Sequence, residues 1–201
     1  MDTDNSVAKD GKTEWQKNEK NWTIKPPHFG ACYCENLPMK KVILFVDVQN
    51  IYYTSKQTYG QNFDYNKFWL KATTNREVVN AFAYAIDRGD QKQHEFQNIL
   101  RAIGFKVKLK PFIQRSDGSA KGDWDVGITI DAMEYTDKAD VVVLASGDGD
   151  FDLLVNKLRI DRGKKVEVYG VPKLTSKSLI NAASEFIPID KKLLMNFPEN
   201  A

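Results

Sequence analysis

A chain of 201 residues that is 42% hydrophobic and 28% charged is long enough for one ordinary domain plus an extension, and its balance excludes a wholly disordered protein. A net charge of +2 excludes a partner chosen by bulk electrostatics, so any nucleic-acid surface must come from local clustering. No apolar run approaches the ~20 residues of a membrane span, and the polar N-terminus lacks the apolar core of a signal peptide; the expectation is a soluble, cytoplasmic protein with no membrane partner.

Residues 1–38 read as a polar N-terminal extension, and 39–201 as the folded domain that starts at "MKKVILF". The extension shows no helical or strand period. Trp15 and Trp22 are its isolated apolar anchors, and "KPPHFG" breaks it. Three readings of it stay open: it docks on the domain through those tryptophans, it holds a protein partner, or it is floppy. "HFGACYC" holds three residues that could bind zinc, His28, Cys32 and Cys34, but a structural zinc site usually takes four at familiar spacings. Reduced thiols are the expected state, since two cysteines this close make neither a disulfide framework nor an easy bridge. The histidines are only His28 and His94, which leaves catalysis by a histidine pair or a Ser-His-Asp set with little to work with.

From Lys41 onward, strand-like and helix-like segments alternate. "KVILFVDV" (Lys41 to Val48) is a short apolar run of the kind buried on both faces of a parallel sheet. Phe63 to Thr73 has near-helical apolar spacing, and Val78 to Asp87 reads as a second strand. "QKQHEFQNILRAIG" is an amphipathic helix with Phe96, Ile99, Leu100 and Ile103 on one face and Gly104 as its stop. Phe105 to Phe112 alternates strictly, with Lys106, Lys108 and Lys110 on one side; such a stripe guards an edge strand against edge-to-edge pairing. Gly122 to Asp137 reads as helix, Asp140 to Ser146 as the fourth strand, and "DFDLLVNKLRIDRG" as a helix ended by Gly163. "KKVEVYG" is a fifth strand, "TSKSLINAAS" a short helix, and "EFIPID" a last strand. This alternation predicts an α/β fold: a Rossmann-like, mostly parallel sheet of about five or six strands with helices on both faces.

In such a sheet, ligands sit beyond the carboxyl ends of the strands. Asp47 ends the first strand, Asp148 and Asp150 follow the fourth, and Asp123 and Asp125 open the helix after the third. All three groups therefore fall on one rim, and two become neighbours if the first and fourth strands adjoin. Crowded carboxylates repel one another unless a cation offsets them. A set of carboxylates, Asn and water suits Mg²⁺ or Mn²⁺, ions that activate water and hold phosphate oxygens in phosphodiester cleavage. Each acid also has a structural reading: Asp123 as a helix N-cap, Asp125 in a favourable first turn, and Asp150 or Asp152 doing the same for the next helix. "DGDFD" is not an EF-hand loop, because Leu153 stands where glycine is needed and Arg159 where glutamate is needed. "SGDGD" lacks the second half of a dinucleotide fingerprint. "FVDVQN" has Gln49 where a haloacid-dehalogenase-type phosphatase would show a second aspartate.

Three ordered stretches, "LFVDVQNIY", "KGDWDVGITIDAM" and "VLASGDGDFDLLVNKLR", with the tail "SKSLINAASEFIPID", resemble the NYN domain, specifically its LabA-like branch within the PIN-like nuclease group. The resemblance covers Lys41 to about Asp190. It implies an acidic metal pocket and RNA cleavage. By position it makes Asp47 the first-strand acid and Asn50 the asparagine that orients the site. It makes Asp125 the acid of the "KG-x-D" stretch, and Asp148 and Asp150 the pair after the fourth strand. Those five are the expected catalytic residues, with the four aspartates as metal ligands. Asp123 departs from the family pattern, which leaves open which of Asp123 and Asp125 faces the metal. Asp131 matches a second acid on the same helix, but six residues are about 600° of rotation, so it cannot point into the same small pocket as Asp125. Asp123, Asp131, Asp152 and Ser146 are accordingly expected to support the site from behind.

A single strand of nucleic acid needs positive charge and stacking surface beside the metal. Lys121 and Arg115 in "QRSDGSAKG", and Lys173, Ser176 and Lys177 at a helix start, are the expected phosphate contacts. Tyr52, Tyr53 and Tyr59 could stack bases or belong to the core. The expected protein is a Mg²⁺- or Mn²⁺-dependent ribonuclease acting on single-stranded RNA, with a homodimer allowed. A non-catalytic RNA-binding or regulatory module that keeps the acidic pocket is the alternative, and a phosphatase or nucleotide hydrolase is a third.

Overall fold

The computed structural model describes residues 38–87, 89–111 and 123–196, with the backbone alone of 15–18, 21–24, 113–114 and 120–121. The chain divides into two compact units, Met1–Pro38 and Met39–Ala201. In the first, Trp15–Asn18 and Asn21–Ile24 pair antiparallel, with Trp15 opposite Ile24 and Lys17 opposite Trp22. Strands of four residues are too short to show an alternation, which is why the sequence carries no strand signal there. The segment containing His28, Cys32 and Cys34 lies outside the described residues.

The second unit runs β1 (Lys40–Asp47), α1 (Val48–Tyr59), α2 (Tyr65–Thr73), β2 (Arg76–Asp87), α3 (Gln91–Ile103) and β3 (Lys106–Pro111). It continues with α4 (Asp125–Tyr135), β4 (Val141–Ala145), α5 (Asp152–Asn156), β5 (Lys165–Gly170), α6 (Lys177–Ala182) and β6 (Glu185–Pro188). The six strands lie in the order β6-β5-β4-β1-β2-β3, and every neighbouring pair is parallel. The chain winds outward from β1 to β3, then returns to lay β4 against the other side of β1. That reversal makes the carboxyl ends of β1 and β4 the topological switch point of the sheet, where this architecture usually places its ligand crevice.

β1 shows why the sheet is central. Its residues from Val42 to Val46 are all apolar and at most 1% exposed. Val42, Leu44 and Val46 face one core with Ile51 of α1, Phe68 of α2 and Leu100 of α3. Ile43 and Phe45 face a second core with Ile128 of α4, Leu154 of α5 and Leu179 of α6. A strand sandwiched in this way must be apolar on both sides, so its sequence is a continuous run instead of an alternation.

α1 has no counterpart in the sequence pattern. Its buried residues are Val48, Ile51 and Ser55, a narrow stripe with a serine in it. The helix is set by its ends: the Asp47 carboxylate accepts the Asn50 N–H, and Gly60 closes it at φ 66°. The predicted helix after β4 is a short 3₁₀ turn (Gly149–Phe151), α5 and a wide π turn (Lys157–Asp161) in succession. β3 is an edge strand, but its lysines do more than guard it. Lys106 Nζ donates to Asn80 at 2.6 Å, Lys108 Nζ to Asp131 at 2.6 Å and Lys110 Nζ to the Asp123 carbonyl at 2.8 Å. Among the described residues no helix is long and apolar enough to cross a membrane.

Toward the opposite rim, Glu167 is 1% exposed and accepts both arms of Arg76, at 2.8 and 2.9 Å, and Lys165 Nζ at 2.8 Å. Its carboxyl is held below the ordinary value, because hydrogen bonds from Arg76 and Lys165 outweigh the burial that would raise it. Arg76→Ala leaves a buried carboxylate with one partner. The expected loss is about 3 kcal/mol in a denaturant melt at neutral pH. It should shrink as pH falls through the depressed Glu167 titration, where the stabilisation by Arg76 disappears in the wild type too.

Candidate active site

Asp47 is the last residue of β1 and the N-cap of α1, and it is 7% exposed. One carboxylate oxygen accepts the Asn50 N–H at 3.1 Å; the other accepts the Ser146 hydroxyl at 3.3 Å. Ser146 follows β4, is fully buried, and donates its N–H to the Tyr169 carbonyl of β5 at 3.1 Å. Its Oγ accepts the Asp148 N–H at 3.2 Å, while Asn50 Oδ1 accepts the Gly147 N–H at 2.8 Å. Two side chains of the β1–α1 junction thus clamp the Ser146–Asp148 turn. Gly147 is required there by close approach: a Cβ would stand 2.8 Å from the Leu174 carbonyl. The turn continues outward, with Asp148 accepting the Asp150 N–H at 3.1 Å and Asp150 exposed.

Asp125 faces these acids from the first turn of α4. Burial pushes the Asp47 carboxyl up to about 6, and the Asp125 and Asp148 carboxylates push in the same direction against the Asn50 and Ser146 hydrogen bonds. The Asp125 carboxyl is also raised, first by burial and then by Asp148, Asp123 and Asp150, with Lys110 opposing. Five aspartates from three chain segments therefore act on one another electrostatically.

Asp123 is not the N-cap its position suggests. Trp124 holds that place without a side-chain cap bond, pinned by its indole N–H to the Ala85 carbonyl at 2.9 Å. Asp123 is exposed and offers its carbonyl to Lys110. Asp131 is buried and tied to the Tyr84 hydroxyl and Lys108 Nζ, both at 2.6 Å. Asp152 opens α5, half-buried. Lys173 and Lys177 are exposed; Ser176 packs against Gly149 and shares a hydrogen bond with Ser178 at 2.9 Å. Arg115 and the side chain of Lys121 lie outside the described residues. The cation that sequence reasoning passed over is Lys110, set 4.3 Å over the Trp124 ring. Its signal was its place as the last lysine of the β3 stripe, nearest the carboxyl rim.

The donor set is all oxygen, which fits a hard divalent cation. Among the described residues, no three carboxylate, imidazole or thiolate groups stand together as a ready-made metal cage.

Residues 41–190 match the family model of the NYN domain. The Low amplitude and bright protein LabA of Synechococcus elongatus is 30% identical over 159 residues, 75% of this chain and 84% of that protein. A crystal structure of a protein of unknown function from Vibrio parahaemolyticus superposes with a TM-score of 0.75 at 57% identity, covering 78% of this chain and 97% of that one.

Proposed function

The chain belongs to the NYN domain family, whose PIN-like fold is nuclease-related, and from that premise we propose that it is a metal-dependent ribonuclease hydrolysing phosphodiester bonds of single-stranded RNA. The observation that carries this reading is the clamp at the β1–β4 crevice, where Asp47 and the Ser146–Asp148 turn are hydrogen-bonded together within electrostatic reach of Asp125. Asp47, Asp125, Asp148 and Asp150 would hold Mg²⁺ or Mn²⁺. When bound, the ion supplies charge neutralisation at phosphate oxygens and a lowered water pKa. The chain's own residues do the rest. Asn50 holds the acid turn against α1, and Ser146 fixes the Asp47 rotamer. Lys110, above Trp124, brings positive charge to the rim of the cup. Arg115, Lys121, Lys173, Ser176 and Lys177 are the proposed contacts along the strand.

The test follows decay of an end-labelled, unstructured RNA with Mn²⁺ or Mg²⁺ and in excess chelator. The wild type is expected to cleave only with the ion, and Asp148→Asn to cleave on the order of 10²-fold more slowly or worse. Cleavage that persists in chelator overturns the metal assignment. RNA retained in a gel without decay makes the protein a binding module instead. Phosphate release from mononucleotides with intact oligonucleotides makes it a phosphatase.

A further inference from the structure

We infer that the cleft between α1 and α3 receives an unpaired nucleobase of the strand whose backbone crosses the acidic cup; the identity of that strand rests on the nuclease reading above. The cleft is a cavity of about 330 Å³. Its walls include Val48 and Gln49, which directly follow Asp47, with Tyr52 and Tyr53 one turn further along and Phe96 across from them on α3. The cavity and the acids thus share the β1–α1 junction.

Three features fit a base. First, Tyr52 and Tyr53 are 47% and 52% exposed, with rings edge to face at 5.3 Å. Leaving the Tyr52 ring half in water forgoes burial that a stacked flat heterocycle recovers. Tyr52 also lines a second cavity of about 160 Å³ with Tyr65 and Met195, so space adjoins its ring on more than one side. Tyr59, by contrast, spends its hydroxyl on the Ile189 carbonyl at 2.7 Å and takes no part. Second, the half-buried Gln49 amide has no hydrogen-bond partner among the described residues, and an amide offers both donor and acceptor to a base edge. Third, Lys92 is exposed on the lining, where it can meet a phosphate of the same strand. An apolar floor, aromatic walls, the Gln49 and Gln93 amides and the Lys92 cation are what single-strand recognition uses; the Asp90 carboxylate, also on the lining, accepts the Gln93 N–H at 2.8 Å. A duplex cannot present such a base, so the cleft would make the enzyme selective for unpaired regions.

The experiment measures anisotropy of a short, fluorescein-labelled, unstructured RNA with the full chain in chelator, where cleavage plays no part. Tyr52→Ala is expected to bind roughly 5- to 150-fold more weakly, and Tyr52→Phe close to wild type, because stacking needs the ring and not the hydroxyl. The wild-type protein is expected to lose affinity for the same strand bearing abasic sites, and for its duplex. The abasic arm needs no variant, so it decides the matter even if Tyr52→Ala folds poorly. Equal binding of intact and abasic strands, or of single strand and duplex, overturns the inference. An RNA that binds with these preferences but never decays with Mn²⁺ sinks the nuclease reading and leaves the base cleft standing.

Discussion

Asp47→Asn is expected to abolish cleavage and, at the same time, to raise the melting temperature of the metal-free protein at mildly alkaline pH. Both effects come from burial of one carboxylate. The Asp47 titration moves from 3.8 up to about 6 in the folded chain, so the folded state holds the proton more tightly than the unfolded one. That linkage favours folding fully below 3.8 and is lost as pH rises through about 6. Above that range the buried charge opposes folding by about 3 kcal/mol. Asparagine keeps the shape and can still accept the Asn50 N–H, but it carries no charge. For a chain of this size the relief corresponds to a rise of roughly 5–10 °C as an upper bound, since the Ser146 bond is remade less well. The variant's stability should also be flatter than the wild type's across the acid range. A variant that melts lower than wild type at alkaline pH, or that still cleaves, contradicts the assignment. Stability given up at a site and regained on its loss is the pattern expected of a functional group.

Adding Mn²⁺ or Mg²⁺ should stabilise the wild type and leave Asp47→Asn and Asp148→Asn almost unmoved. An ion that binds only the folded state adds about 2.7 kcal/mol at a hundred times its dissociation constant, again roughly 5–10 °C. Because the ligands must be deprotonated, the shift should grow as pH rises through about 6, where Asp47 loses its proton. A thermal-shift titration at several pH values reads this without any substrate. An ion response of equal size in wild type and both variants would place the metal elsewhere.

The strands were legible because burial on both faces forces apolar runs, and β1 and β4 are almost nothing else. The rim was legible because parallel strands all end on the same side, which turned the positions of Asp47, Asp125 and Asp148 into a shared location. What stayed hidden depends on partners distant in sequence. α1 buries only Val48, Ile51 and Ser55, too little to leave a period. Asp131 looks like one more site acid until the pairing of β2 with β3 brings Tyr84 and Lys108 under it. Lys110 joins the site only because Trp124 and the Asp123 carbonyl fold over it. Asn50 came from the family resemblance; its bond to the Gly147 N–H supplies the reason for it.

The seam between β1 and β4 joins residues 99 positions apart, Asp47 and Ser146. During synthesis, a nascent polypeptide that has emerged only through β3 has one wall of the crevice and not the other. It has no Ser146 to orient the first carboxylate and no Asp148 beside it. The paired acids of the candidate site therefore assemble late, only after the half of the chain that follows β3 has been made.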